Sequence, residues 1–78
     1  MITAKIKLNT IEKVKKFSAA MEKLPYDIDL YSERYIINGK SIMGIFSLDL
    51  SKEINVKAHT INEKETQEFT SAIEPYRV

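Results

Sequence analysis

The chain has 78 residues, a formal net charge of +1, 44% hydrophobic and 29% charged residues, and no cysteine. That length sets the expectation of a single domain over residues 1–78, with an economical core, because a chain of this size buries only about 60% of its unfolded surface. A disulfide scaffold and a thiolate metal site are excluded, and the interleaved charges lack the basic footprint of a nucleic-acid binder. No apolar run reaches a membrane span, and the first ten residues alternate instead of forming a signal-peptide core, so the expected setting is the cytoplasm, away from membranes.

Ile2, Ala4, Ile6 and Leu8 alternate with Thr3, Lys5, Lys7 and Asn9, the period of a strand buried on one face. Asn9 stands three residues before Glu12, a capping-box spacing. Ile11, Val14, Phe17, Met21 and Leu24 then recur at helical intervals, predicting about four turns of helix up to Pro25. The cluster of Lys13, Lys15, Lys16 and Lys23 reads as the solvated face of that helix.

Tyr26, Ile28 and Leu30 alternate with Asp27, Asp29 and Tyr31 in a second strand, and RYIIN forms a third after a turn near Ser32 and Glu33. NGK turns the chain again, and Ser41 is placed to cap a helix of two turns at most in SIMGIFSL. Positions 42, 45, 46 and 49 share one face of that helix, leaving Met43 as the residue predicted to be exposed. A glycine at 44 is costly within a helix and points to close backbone approach.

Ile54, Val56 and Ala58 alternate with Asn55, Lys57 and His59 as strand four. Asn62 again precedes a glutamate, Glu65, by three residues, and Thr66, Phe69, Ile73 and Tyr76 form the stripe of a last helix stopped by Pro75. The order βαββαβα, with one polar face on each strand, predicts an α+β fold: an open-faced sandwich of a four-stranded antiparallel sheet with three helices on one face.

KSIMGIFSLDLSKEINVKA resembles the segment around the regulatory serine of HPr, the small phosphocarrier of the bacterial sugar phosphotransferase system, whose family shows a KSIMGVMSL-like run there. The spacing from FSAAMEKLPYDIDLYSERYIIN to the serine is also the family's, and the resemblance runs through residues 14 to 60. It implies the HPr-like βαββαβα fold. It also implies that Ser41 is a switch phosphorylated by an ATP-dependent kinase, a reading compatible with its role as a cap. Ile42, Met43, Phe46 and Leu48 would form the patch that engages protein partners of the phosphotransferase type: enzyme I, the IIA components, HPr kinase or a transcription regulator. No cofactor is implied, and the expected state is a monomer or weak dimer.

The chain departs from the family where HPr carries its phosphoryl group, on the histidine of a Gly-X-His-Ala-Arg-Pro motif. Counting back without gaps from Ser41 puts Thr10 at the histidine, Ile11 at the alanine, Glu12 at the arginine and Lys13 at the proline. A phosphohistidine carrier needs a nucleophilic imidazole and cations around the dianion. Thr10 offers a hydroxyl that needs an activating base, and Glu12 reverses the charge. His59, the only histidine, falls in the wrong element and reads as a solvated side chain with no second ligand for a metal.

The resemblance therefore implies a non-catalytic regulatory or adaptor protein comparable to the catabolite-repression HPr, which also lacks the active histidine but keeps the rest of the motif broken here by Glu12 and Lys13. The alternatives are a phosphocarrier with a displaced acceptor, and an unrelated binding module such as a single-stranded RNA binder stacking bases on Tyr31 and Tyr35.

Overall fold

Alternating β-branched and aliphatic residues, interrupted by three capped amphipathic segments, give the elements β1 (Ile2–Ile6), α1 (Ile11–Glu22), β2 (Ile28–Tyr31), β3 (Ile36–Asn38), α2 (Ile42–Phe46), β4 (Ile54–Ala58) and α3 (Glu63–Ile73), followed by a 3₁₀ turn at Glu74–Tyr76. The structure is a computed structural model that describes residues 2–33 and 35–78. The four strands form one antiparallel sheet in the order β1-β4-β2-β3. This is the predicted α+β open-faced sandwich.

Register follows the two-residue period. Ala4 pairs with Val56, which pairs with Leu30 on its other side, and Ile6 pairs with Ile54, so the apolar members of each strand share one face. The helices cover that face. Ile6, Leu8, Val14, Phe17, Met21, Ile28, Leu30, Ile45, Val56, Phe69 and Ile73 are buried, and each such side chain contributes about 1.5–3 kcal/mol relative to exposure. Phe17 of α1 meets Tyr76 edge to face at 5.5 Å, which locks the 3₁₀ turn against the first helix. The open face carries Thr3, Lys5, Asn55, Lys57, Asp29 and Tyr31, with Lys57 Nζ 5.0 Å from the centre of the Tyr31 ring.

Several boundaries differ from the sequence reading. Leu8 is buried beyond the end of β1, and α1 begins with Thr10 as its cap in place of Asn9: Thr10 Oγ1 accepts from Lys13 N at 3.1 Å. Helix α1 closes at Glu22, and Lys23 N and Leu24 N turn back to the carbonyls of Ala20 and Met21, which still carries Leu24 into the core. Strand β2 starts at Ile28, with Tyr26 buried ahead of it, and β3 is confined to Ile36–Asn38 with Tyr35 outside it. Arg34, included in the predicted third strand, lies outside the described residues. The cap of α3 is Asn62, as predicted, but the Glu65 carboxylate accepts from Thr60 Oγ1 at 2.5 Å, and it is this same hydroxyl oxygen that accepts from Asn62 N.

The two edges of the sheet are treated differently. The outer edge of β1 is met by the C-terminal residues: Lys7 N donates to Tyr76 O at 2.9 Å, Val78 N to Lys5 O at 3.1 Å, and Arg77 bridges Ile6. The opposite edge is β3.

Candidate functional site

Two groups of residues singled out from the sequence lie on the helical layer. The first is the start of α1. Extended backbone at Thr10 turns into helix because its hydroxyl satisfies the Lys13 amide and its carbonyl accepts from Val14 N at 3.1 Å. Glu12 reaches Lys16 across one turn at 3.0 Å, and that hydrogen bond and charge hold its carboxyl below the usual carboxylate range. An ionised carboxylate in the first turn suits the helix dipole. It also opposes a phosphate dianion at the same end, where the Lys13 amide already faces Thr10. Ile11 is 64% exposed beside it.

The second group is α2, which starts beside the C-terminal half of α1. Ser18 Oγ donates to Lys40 O at 3.3 Å, and Lys40 Nζ donates to Leu24 O at 2.7 Å, so Lys40 satisfies a carbonyl left free at the end of α1. Ser18 is eight residues into the chain from Thr10, about 12 Å of helix rise. Ser41 Oγ accepts from Gly44 N at 3.2 Å, the predicted cap.

The short helix sorts its apolar residues differently from the expected face. Ile45 is fully buried and Ile42 half-buried, while Met43 is 77% and Phe46 39% exposed. Position 49 is beyond the helix, which ends at Phe46. Leu48, expected in the exposed patch, belongs to the core: after the Ser47 cap, Leu48 N donates to Ile45 O, and the turn brings its side chain inward. The accessible apolar side chains are therefore Met43 and Phe46.

His59 is exposed, and it also has a partner. It follows β4, and its Nε2 lies 2.6 Å from Asp29 Oδ2 on β2, while its backbone N donates to Asp27 O. It also leaves the opposite end of the β1–β4 ladder from Thr10: Ala58 pairs with Ile2, and Ile6, which leads to Thr10, pairs with Ile54. The contacts of Lys40 and of His59 went unread in the sequence, because both join residues 16 or more positions apart. No group of three or more metal-ligating side chains occurs among the described residues, and no described helix is long and apolar enough to cross a membrane.

This sheet order, with helices on one face and a capped short helix between β3 and β4, defines the class of HPr-fold proteins. Solved structures of that class superpose on nearly the whole chain. HPr-C-His from Thermoanaerobacter tengcongensis is 23% identical with a TM-score of 0.74, covering 95% of this chain and 92% of its own. The phosphocarrier protein HPr from Bacillus anthracis is 15% identical with a TM-score of 0.72, covering 97% and 96%. A histidine-containing phosphocarrier protein from Mycoplasma is 16% identical with a TM-score of 0.68, covering 95% and 91%. No protein-family model and no curated protein matches the sequence. The chain thus has the HPr fold.

Proposed function

We propose that this chain is a single-domain adaptor or regulatory protein related to the sugar phosphotransferase system, which binds protein partners through α2 and carries no phosphoryl group on histidine. The reading rests on exposed Met43 and Phe46 beside the capping Ser41, in a fold shared with phosphocarriers. Flexible, polarisable Met43 suits a surface that meets more than one partner. Thr10, Ile11, Glu12 and Lys13 form a degenerate phosphocarrier site. Partners of the chemistry implied are enzyme I, IIA components, HPr kinase or a transcription regulator, with no nucleic acid or membrane involved.

Ser41 is the residue through which such binding would be regulated. A phosphate on its oxygen adds roughly two negative charges beside Met43 at the start of α2. The experiment is to incubate the protein with ATP and HPr kinase, and separately with phosphoenolpyruvate and enzyme I, with an HPr control in each tube, and to measure intact masses. The expected result is one phosphate from the kinase on wild type and none on Ser41→Ala, with none from enzyme I on either. A phosphate transferred from enzyme I would overturn the adaptor reading; no kinase product, with HPr modified alongside, would remove the switch.

A further inference from the structure

We propose that the free edge of β3 pairs with β3 of a second copy of this chain, antiparallel and centred on Ile36. Strand β1 has its outer edge met by Tyr76, Arg77 and Val78, whereas β3 lies at the other edge with Tyr35 62% and Ile36 68% exposed. Edge strands in stable monomers are commonly blunted by Lys, Pro or a bulge, since their outward amides template pairing. Strand β3 reads Ile-Ile-Asn and contains neither Lys nor Pro.

The hydrogen bonds to β2 say which amides point outward. Ser32 N donates to Tyr35 O at 2.9 Å and Gly39 N to Ile28 O at 2.7 Å, so by alternation Ile37 also faces β2, and Ile36 and Asn38 turn their backbone groups away from it. The Asn38 carbonyl already accepts from Ser41 N at 3.0 Å, in the turn that leads to α2. Ile36 is then the residue of β3 with both its N–H and its C=O directed outward and uncommitted to the turn.

That geometry selects the occupant. An antiparallel two-fold centred on Ile36 lets the two copies exchange both bonds at the same residue, which is the isologous closure that stops at a dimer. It sets the two exposed Ile36 side chains next to each other on the open face, and Tyr35 opposite Ile37 of the second copy, with no like-charged pair among them. A strand of three residues buries less than the roughly 1,000 Å² of a stable interface, so the association is reversible and follows concentration.

Sedimentation equilibrium from micromolar to millimolar protein tests this. The weight-average mass of wild type is expected to rise from 9.0 kDa toward twice that value, and Ile36 amide exchange to slow over the same range. Ile36→Lys puts a charge in the pair, and Ile36→Pro removes a donor that makes no bond to β2; both are expected to stay at the monomer mass with an unchanged circular dichroism spectrum. Should the proline variant unfold, the lysine variant and the amide exchange decide. A wild-type mass constant over the whole range, or a rise undiminished by Ile36→Lys, overturns the proposal.

Discussion

Gly44→Ala opposes two effects of similar size whose balance follows from one distance. A methyl group added at Gly44 would stand 2.6 Å from Ile37 Cγ2 and 3.3 Å from Ser41 Oγ. Carbon atoms in contact rest at about 3.5–4.0 Å, so α2 and β3 would have to part by about 1 Å. Ile37 cannot yield cheaply, because a β-branched side chain moves Cγ2 only by rotating as a whole about χ1. Overpacking of this kind costs about 1–3 kcal/mol, while alanine for glycine within a helix contributes about 1 kcal/mol. The expected net loss is about 0–2 kcal/mol in wild type.

In an Ile37→Ala background the obstructing methyl is gone, and the same substitution is expected to stabilise by up to about 1 kcal/mol. Urea denaturation of the four proteins gives the coupling, expected at about 1–3 kcal/mol. In thermal melts each kcal/mol shifts the midpoint by about 4–8 °C for a domain of this length. If Gly44→Ala stabilised both backgrounds equally, the close approach of α2 to β3 would not be what the glycine serves.

Two further outcomes distinguish neighbouring residues and a pH range. Leu48→Ala is expected to lose about 2–5 kcal/mol and Met43→Ala to stay within about 0.5 kcal/mol, since one is core and the other 77% exposed; urea midpoints compare them directly. Tyr26 is buried and donates its hydroxyl to Glu65 O at 3.0 Å, and burial first, then the charges of Glu68 and Glu65, raise its pKa. Stability from the neutral phenol is therefore fully present below the unfolded value of about 10 and lost as pH rises through the higher folded value; Tyr26→Phe is expected to flatten that alkaline decline in melts recorded against pH.

The fold was legible because its signals are local. Alternation in Ile54-Asn-Val-Lys-Ala and the three-and-four spacing of Val14, Phe17 and Met21 each bury one face whatever the partner element is. Caps at Ser41 and Asn62 were readable for the same reason. The cap of α1 was misplaced by one residue because Asn9 and Thr10 are both good caps, and it is the Thr10 hydroxyl that accepts from Lys13 N.

Within the candidate site, the sequence named the serine, the glycine and exposed Met43, whereas Leu48, placed in the partner patch by the resemblance, is buried by the turn that follows a helix of only five residues. The contact of exposed His59 went unread because its partner Asp29 is 30 positions away and adjacent only through the β2–β4 register.

Sequence alone thus determined the order of elements and the apolar face of each strand and long helix. Periodicity and side-chain chemistry are properties of a few neighbouring residues. Only the tertiary structure decided that Gly44 lies against Ile37, that Lys40 closes the end of α1, and that the C-terminal residues cover the β1 edge of the sheet while β3 forms the other edge. These depend on which elements meet, and that is set by burying all the apolar faces at once.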